Sequence, residues 1–300
     1  MLKEEIMQLL RNLLGLETPS SSAPPTPSSA PASPVQPRFK VGWTTDVGSV
    51  RRHNEDTALV VTAAQDGDDS MPAFGIFILA DGMGGHQAGE IASSLAARVA
   101  AHHIVHNFYL PTLISQEHGA DQPSMNDVLV NAVQAANQAV ADRVPGGGTT
   151  LTCALLLGPR TYIAHVGDSR GYTIGPGRIS QFTRDHSLVA GLIEAGVISA
   201  DEARTHPDRN IITRAIGIEE RVDVDVSPVG WILKKNFYIM LCCDGLHTVV
   251  SEEEMLSAVR DNATPELACA DLVEQANANG GPDNVTVLLA RIDKVGWRAR

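Results

Sequence analysis

The chain has 300 residues, with 23 Lys and Arg against 35 Asp and Glu, so its formal net charge is −12. This charge excludes a protein that binds nucleic acid through a basic surface. Hydrophobic residues make up 43% of the chain and charged residues 19%, which predicts that most of it is globular. The longest apolar runs, at residues 73–80 and 237–243, are too short to span a bilayer, so no membrane span is expected.

The N-terminal residues differ in composition from the rest of the chain. Leu2, Ile6, Leu9 and Leu13 recur at three- and four-residue steps, which predicts a short amphipathic helix over residues 1–16. Residues 17–38 consist almost entirely of Pro, Ser, Thr and Ala, which predicts a disordered linker. Because so short a helix is marginal in water, it either touches its own domain or docks on a partner or a membrane surface. Its balanced charge argues against anionic lipid.

A single domain is predicted over residues 39–293, and a C-terminal tail over residues 294–300. Long, alanine-rich, amphipathic segments predict helices over residues 88–109 and 126–144. Helix N-termini are predicted at two capping boxes and at a Thr-Pro pair: Ser199 with Glu202, Ser251 with Glu254, and Thr264 with Pro265.

Apolar runs predict the strands of this domain. They lie at residues 73–80, 150–157, 162–166, 237–243 and 285–292. The runs come in consecutive blocks and do not alternate strictly with helices. This pattern favours an α+β fold in which antiparallel sheets are flanked by helices.

An aspartate stands at one end of four of these strands. These residues are Asp81, Asp168, Asp244 and Asp283. A single Asp after a buried strand is ordinarily a turn residue or a helix N-cap. Four in one domain suggest carboxylates that converge, and such a cluster needs counter-charge in a low-dielectric cleft. Oxygen-only ligands favour Mg²⁺ or Mn²⁺ over Zn²⁺, and two such ions would hold and acidify a water for attack on phosphorus.

A second charged cluster lies at residues 45–56. Glu55 and Asp56 add two acids, and Arg51 offers a planar guanidinium suited to phosphate oxygens. On its own this segment would be a solvated loop.

Two other features favour structural interpretations: the glycine run at 146–148 lacks the lysine of a phosphate loop, and His102 with His106 has no third metal ligand in view.

The four cysteines contain no CxxC pair, and two of them, Cys242 and Cys243, are adjacent within an apolar run. This pattern is typical of buried free thiols in a reducing compartment, so a cytoplasmic protein is expected. No cysteine stands in the C-x5-R loop that a thiol-based phosphatase requires.

Taken together, the motifs resemble the metal-dependent, type-2C serine/threonine protein phosphatases (PPM family) in their bacterial form. The resemblance covers residues 39–293, and its eight motifs follow the family's order. They are Asp46-x-Gly-x-x-Arg51-x-x-Asn54-Glu55-Asp56, Asp81-Gly-Met-Gly-Gly-His86, Gly148-Thr-Thr150, Val166-Gly-Asp168-Ser-Arg170, Thr183-Arg-Asp185-His-Ser187, His206-Pro-x-x-Asn210-x-x-Thr-Arg214-Ala-x-Gly217, Cys243-Asp244-Gly245 and Gly281-Pro-Asp283-Asn284-Val-Thr.

The resemblance implies a four-layer α-β-β-α sandwich with two central antiparallel β-sheets and a binuclear Mn²⁺ or Mg²⁺ centre between them. It also implies a role for each matching residue: Asp81, Asp244 and Asp283 as direct ligands, Gly82 as a carbonyl ligand, Glu55 and Asp56 as holders of metal or metal-bound water, Asp168 with Asp244 at a third and weaker ion, and Arg51 as the group that grips the substrate phosphate. Residues 188–214 correspond to a flap beside the cleft.

The implied activity is hydrolysis of phosphoserine and phosphothreonine in proteins by a metal-bridging hydroxide, without a phosphoenzyme, in opposition to Ser/Thr kinases. Its partners are phosphorylated proteins and those kinases. Two alternatives stay open: a binuclear phosphoesterase acting on nucleotides or small metabolites, and a silent phosphoprotein-binding module. Met83 stands where some members carry the His proposed as general acid, so that role is unassigned, with His86 or a water on the third metal as candidates.

Overall fold

The structure, a computed structural model, describes residues 39–64, 72–84, 87–114, 124–227, 231–232 and 236–292. The predicted N-terminal helix at 1–16, the linker at 17–38 and the tail at 294–300 lie outside these residues.

Two antiparallel β-sheets form the centre of the described part of the chain. In chain order the strands are β1 Phe39–Asp46, β2 Asp56–Ala63, β3 Phe74–Met83, β4 Gly148–Thr149, β5 Leu151–Leu157, β6 Arg160–Val166, β7 Arg170–Gly175, β8 Arg178–Gln181, β9 Asp225–Val226, β10 Trp231–Ile232, β11 Tyr238–Cys242 and β12 Val285–Ile292. Sheet 1 has the order β1-β12-β11-β7-β8. Sheet 2 has the order β10-β6-β5-β3-β2, with β4 paired to β3 and β9 paired to β6.

Helices cover the outer face of each sheet. In chain order they are α1 Gln87–Ile104, α2 Leu110–Ile114, α3 Met125–Arg143, α4 Leu188–Glu194, α5 Ala200–Arg204, α6 Asp244–His247, α7 Glu252–Asp261 and α8 Pro265–Ala278. Helices α1 and α3 share one buried apolar cluster with sheet 2, and α7 and α8 share another with sheet 1. A third cluster fills the space between the sheets. The predicted four-layer α-β-β-α sandwich is therefore confirmed.

The alternation of side chains along β3 explains its unbroken apolar run. Ile76 and Ile78 pack against α1 and α3, whereas Phe77 and Leu79 pack between the two sheets. A strand that is buried on both faces has no polar positions until it ends. Asp81 follows Leu79 by two residues and so points into the same layer between the sheets, at its end. The polar end of β3 therefore lies at the mouth of that layer.

The predicted elements agree with the structure, with small differences at their ends. Both capping boxes are present, and Thr264 caps α8. The helix predicted over 88–109 is α-helical only to Ile104 and continues as a π-helical turn, Val105–Tyr109. That turn brings Phe108 and Tyr109 onto Phe74, with the Tyr109 and Phe74 ring centroids 4.3 Å apart.

The four cysteines are buried and free, as expected. Within the described ranges, no helix is both long and apolar enough to cross a membrane.

Two glycines give opposite predictions for stability. A Cβ at Gly42 on β1 would lie 2.3 Å from the backbone of Pro265 and Glu266 at the start of α8. Gly42→Ala is therefore expected to destabilise the protein by about 1–3 kcal/mol, because β1 and α8 must separate. At Gly191 in α4 no atom lies within 4 Å of an added Cβ, so Gly191→Ala should stabilise by up to about 1 kcal/mol.

Urea unfolding of both variants at one fixed metal concentration checks this pair. Equal destabilisation by both substitutions would contradict the packing of β1 against α8.

Candidate metal centre

The carboxylates predicted to converge come from the ends of strands in both sheets. Asp56 begins β2 and is the register partner of Asp81 on β3, so these two residues lie side by side in sheet 2. Asp244 is the first residue of α6 and is separated from β11 by Cys243, and Asp283 lies two residues before β12. Both of these strands belong to sheet 1. Asp168 lies in the turn between β6 and β7, where the chain passes from one sheet to the other.

These carboxyl groups perturb one another strongly. Burial raises the pKa of Asp56 and of Asp168 to about 7 and that of Asp244 to about 6, and repulsion from neighbouring carboxylates adds to the effect. The pKa of Asp81 lies well above its usual value, because burial and the charges of Asp56, Asp244, Asp168 and Asp283 all disfavour its ionised form. A hydrogen bond with Asp81 lowers the pKa of Asp244. The five acids therefore form one electrostatic unit.

Two carboxylate oxygens of this unit are buried without a hydrogen-bond partner. They are Oδ1 of Asp56 and Oδ1 of Asp168. A buried, unpartnered carboxylate oxygen is costly, and buried charges ordinarily pair with a counter-charge or coordinate a metal. The donor set is almost entirely oxygen, which suits hard divalent cations such as Mg²⁺ and Mn²⁺. The residues present therefore fit the divalent ions that the sequence predicts.

Cys243 also belongs to this site, although the sequence analysis assigned it no role there. Among the described residues, one group has potential ligand atoms that all lie within 4.8 Å of one another: Asp56, Asp81 and Cys243. The Cys243 thiol donates to the carbonyl of Asn284 at 3.3 Å and accepts from the Thr286 amide at 3.1 Å. In the sequence, the feature that could have indicated this role is the position of Cys243 between the apolar run of β11 and Asp244.

A single asparagine holds the charged loop at 45–56 against Asp283. Asn284 Nδ2 donates to the carbonyls of Val47 and His53, both at 2.9 Å, and its Oδ1 accepts from the Glu55 amide at 2.9 Å. The Asn284 amide donates to Asp283 Oδ1 at 2.8 Å. The sequence analysis included Asn284 in a motif but gave it no role. In the structure it fixes Glu55 and Asp283 to one another.

Asp56 is held by a chain of hydroxyl groups. Thr286 on β12 donates to Asp56 Oδ2 at 2.6 Å, and the hydroxyl groups of Thr286 and Thr45 lie 2.8 Å apart. Asn54 donates from Nδ2 to Thr45 at 2.7 Å and accepts from the Asp56 amide at 3.0 Å. This chain links β1 and β12 of sheet 1 to β2 of sheet 2, so the relative position of the sheets sets the position of Asp56.

Arg51 contacts the acidic cluster directly. Its Nη2 lies 2.7 Å from Asp283 Oδ2, and 55% of the Arg51 side chain is exposed to solvent. The hydrogen bond to Asp283 raises the pKa of Arg51 above its usual value, so the guanidinium stays charged. It can thus offer its remaining N–H groups to a phosphate at the mouth of the site.

Two glycines create the space that the site needs around Glu55. A Cβ at Gly82 would lie 2.3 Å from the Gly89 carbonyl and 2.5 Å from the Glu55 carbonyl. A Cβ at Gly89, in the first turn of α1, would lie 2.1 Å from Glu55 Oε2. A larger residue at Gly89 would displace the Glu55 carboxylate, and one at Gly82 would push apart the backbones of Glu55 and Gly89. Gly89 was missed by the sequence analysis, because nothing in its local sequence indicates that a carboxylate lies against it.

The Asp168 turn is fixed from two sides. The ring of buried His247 places Nε2 3.1 Å from the Asp168 carbonyl. His186 accepts from the Gly167 amide at 3.0 Å, and its own amide donates to the Gly167 carbonyl at 2.8 Å. On its other side His186 lies 3.2 Å from Asp225 and from Arg214. The turn that carries Asp168 is therefore joined to the end of the segment at 188–214.

The predicted metal ligands and the predicted phosphate-binding arginine all lie among the described residues. The residues brought together in one region are Arg51, Glu55, Asp56, Asp81, Gly82, Asp168, Asp244 and Asp283. His86, one candidate for the general acid, lies outside the described residues. His102, in the last turn of α1, stacks on His106 of the π-helical turn with ring centroids 5.7 Å apart.

The α-β-β-α sandwich, the carboxylate cluster between its sheets and the adjacent arginine define a class of metal-dependent hydrolase. The family model described as "Protein phosphatase 2C" matches residues 44–190. The serine/threonine phosphatase stp of Listeria monocytogenes serotype 4b (strain F2365) is 37% identical over 249 residues, which cover 83% of this chain and 94% of that protein. The chain belongs to the protein phosphatase 2C family.

Solved structures agree with this assignment. The crystal structure of the Mycobacterium tuberculosis serine/threonine phosphatase PstP/Ppp has a TM-score of 0.67 to this chain at 33% identity, covering 85% of this chain and 99% of that one. A structure of the catalytic domain of PstP in complex with two manganese ions has a TM-score of 0.65 at 33% identity, with the same two coverages. The predicted family, metal dependence and fold are therefore confirmed.

The raised pKa values predict how a divalent cation stabilises this protein at different pH. An acid whose pKa is raised on folding contributes stability that is present below its unfolded pKa and is lost as pH rises through its folded pKa. For Asp56 and Asp168 that window runs from about pH 4 to about pH 7. A bound cation offsets this loss, so the Tm difference between Mg²⁺ and EDTA samples should grow from pH 5.5 to 7.5.

The control for this prediction uses two matched substitutions. Asp81→Asn should raise the Tm in EDTA and flatten the pH dependence of the Mg²⁺ effect, because one repelling carboxylate is removed. Asp142→Asn, on the exposed end of α3, should change neither. Histidines with lowered pKa values, such as His165 and His247, contribute to both samples and cancel in the difference. A Mg²⁺ effect that is constant with pH would contradict the prediction.

Proposed function

We propose that this chain hydrolyses phosphoserine and phosphothreonine monoesters in proteins. The observation that carries the proposal is the cluster of carboxylates with raised pKa values, two of them with buried unpartnered oxygens, beside the exposed guanidinium of Arg51. Membership of the protein phosphatase 2C family supports the same activity. A silent binding module is not favoured, because all the acids are retained, and a phosphoesterase for small metabolites is not favoured by the relatives.

The residues that would hold the metal ions are those the resemblance implies. They are Asp81, Asp244 and Asp283 as direct ligands, Gly82 through its carbonyl, Glu55 and Asp56 directly or through water, and Asp168 with Asp244 at a third ion. When bound, divalent ions acidify a water for attack on phosphorus and neutralise the charge of the phosphoryl group.

Side chains of the protein itself bind the substrate and position the acids. Arg51 binds the phosphoryl oxygens through the N–H groups that its contact with Asp283 leaves available. Asn284 and Thr286 keep Glu55, Asp56 and Asp283 in place, so that little reorganisation accompanies binding. Met83, at the end of β3, offers no proton, so protonation of the leaving group falls to another group or to solvent.

The function itself is tested with phosphopeptides. A phosphoserine or phosphothreonine peptide should turn over with Mn²⁺ and should not turn over in EDTA. Nucleoside phosphates and small phosphorylated metabolites at the same concentration should have a kcat/KM lower by at least about tenfold. A preference for nucleotides over peptides would overturn the proposal.

Asp244→Asn is expected to abolish turnover and to leave the fold intact. Asp244 is proposed to contact more than one ion, so its loss should lower kcat by about a thousandfold or more at saturating Mn²⁺. Because the metal-free site loses a repelling charge, the Tm in EDTA should stay the same or rise. The matched Asp142→Asn protein should keep full activity. Retention of more than about a tenth of the activity by Asp244→Asn would disprove its assignment as a shared ligand.

Arg51→Ala is expected to raise KM for a phosphopeptide by about tenfold or more and to lower kcat less, because the guanidinium binds phosphate already in the ground state. The neighbouring exposed Arg52→Ala is the matched control and should change KM little. Metal titrations followed by Tm separate the two roles available to Arg51. A weaker Mn²⁺ affinity with an unchanged KM would mean that Arg51 serves only as the counter-charge of Asp283.

The proposed cellular role is reversal of Ser/Thr kinase signalling in the cytoplasm. Four buried free thiols suit a reducing compartment. Residues 1–16 are proposed as a docking element for a partner protein. A chain that begins at Phe39 should then keep kcat/KM for a short phosphopeptide within about twofold and lose activity on phosphoproteins from a cell lysate. Equal losses on both substrates would show that residues 1–38 support the catalytic domain instead.

A further inference from the structure

A cavity of about 450 Å³ opens beside the metal centre. Among the described residues, its lining combines apolar side chains with two acids and one arginine: Met83, Ile212, Ile218 and Val222, Glu219 and Asp223, and Arg214. The volume falls within the range of about 300–1,000 Å³ that is usual for ligand-binding pockets. No residue of this cavity belongs to the carboxylate cluster, so the cavity is a separate feature of the surface.

The geometry of β3 places this cavity directly next to the proposed phosphate position. Met83 follows Asp81 by two residues in the same strand, and the pairing of β3 keeps one register with β5 and β4. Side chains two residues apart in a strand leave it on the same face, about 7 Å apart. Met83 is therefore the next side chain after Asp81 on the same face of β3, and the wall of the cavity that it forms lies at the mouth of the layer between the sheets.

The opposite wall is fixed to the same centre. The Thr149 amide donates to the Ile216 carbonyl at 3.1 Å, and the Ile216 amide donates to the Thr149 carbonyl at 2.8 Å. The Thr149 hydroxyl in turn donates to the Asp81 carbonyl at 2.9 Å. Ile218 lies two residues after Ile216 in the chain. A Cβ at Gly148 would lie within 3.0 Å of both the Ile218 and Met83 side chains. Both walls are thus joined through β4 to the strand that carries Asp81.

The surface chemistry of the cavity indicates its occupant. Val222 is only 5% exposed, whereas 61% of Ile218 is exposed, so an apolar wall faces solvent beside a polar active site. Glu219 and Asp223 are both exposed at the same cavity. Arg214, the cation in the described part of the lining, is already paired with Asp225 at 2.9 Å, so these two acids, together with the net charge of −12, favour a cationic partner over an anionic one. An apolar side chain next to Lys or Arg matches both features.

We propose that this cavity is a substrate subsite that receives an apolar side chain lying within about three residues of the phosphorylated one, in a segment that carries Lys or Arg beside it. The proposal rests on the proposed phosphatase function. An extended peptide advances about 3.3 Å per residue, so a neighbour two positions away spans the separation of Asp81 and Met83. The subsite makes the enzyme selective among phosphoproteins, although the phosphoryl site is common to all of them.

Matched phosphopeptides test the subsite. One leucine is placed at each position from three residues before to three residues after a phosphothreonine, in a glycine-rich peptide. The kcat/KM should rise by about tenfold for leucine at one or two positions on one side. In Ile218→Ser the ratio of kcat/KM between leucine and glycine peptides should fall to about one. Ile211→Ser, a substitution of an exposed isoleucine outside the cavity, should keep the wild-type ratio.

The acids are tested with an arginine next to the preferred leucine. It should raise kcat/KM by about threefold at low salt, and Glu219→Lys with Asp223→Lys should remove this gain. Equal rates for all leucine positions, or a leucine preference that survives Ile218→Ser, would overturn the proposal. A leucine preference that emerges only in a chain lacking residues 1–38 would show that the N-terminal segment is the occupant, and would overturn it too. Turnover of the plain glycine peptide tests the phosphatase function separately.

Discussion

Mutual repulsion among five carboxylates, gathered at one end of the layer between the two sheets, is the constraint on which the rest of this structure depends. Asp56, Asp81, Asp168, Asp244 and Asp283 each come from a different point of the chain. At neutral pH they would separate if their backbones were free to move, because like charges in a low dielectric repel strongly. The raised pKa values of four of them express that cost. The fold must supply enough rigidity to hold them together.

The sandwich supplies that rigidity through its two sheets. Asp56 and Asp81 are register partners in sheet 2, and Thr286 of sheet 1 donates to Asp56 across the layer between the sheets. Asn284 ties the loop of Glu55 to the same end of sheet 1. These hydrogen bonds are short, partly buried and directed at the acids or their backbone. The favourable packing of the apolar layer therefore offsets the cost of keeping the acids together.

The same repulsion explains why divalent cations and cationic peptides suit this protein. A cation removes the unfavourable interactions among the acids and stabilises the folded state by binding to it. The net charge of −12 then repels a phosphorylated chain unless that chain brings positive charge of its own. In the proposed function Arg51 attracts the phosphoryl group, and the proposed subsite beside Met83 binds a neighbouring side chain of the substrate. Catalysis and substrate choice therefore use adjacent parts of one surface.

The sequence alone determined the strands, their buried character and the acids at their ends. A run such as residues 73–80 indicates a strand that is buried on both faces, and an oxygen-only donor set selects a hard cation whatever the details of the fold. The family resemblance that the motifs carry then implied the four layers. These features are local in sequence, or depend only on the order of residues, and hydrophobic pattern and residue chemistry encode them directly.

Only the tertiary structure decided which groups touch. Arg51 meets Asp283 across 232 positions of sequence, and Cys243 enters the carboxylate group through the packing of β11 against β12. Gly89 leaves room for Glu55 in a way that no local pattern indicates. The cavity beside Met83 likewise exists because Ile218 is brought to β3 through β4. Such contacts depend on the register and spacing of two packed sheets, which a hydrophobic pattern constrains in general but not residue by residue.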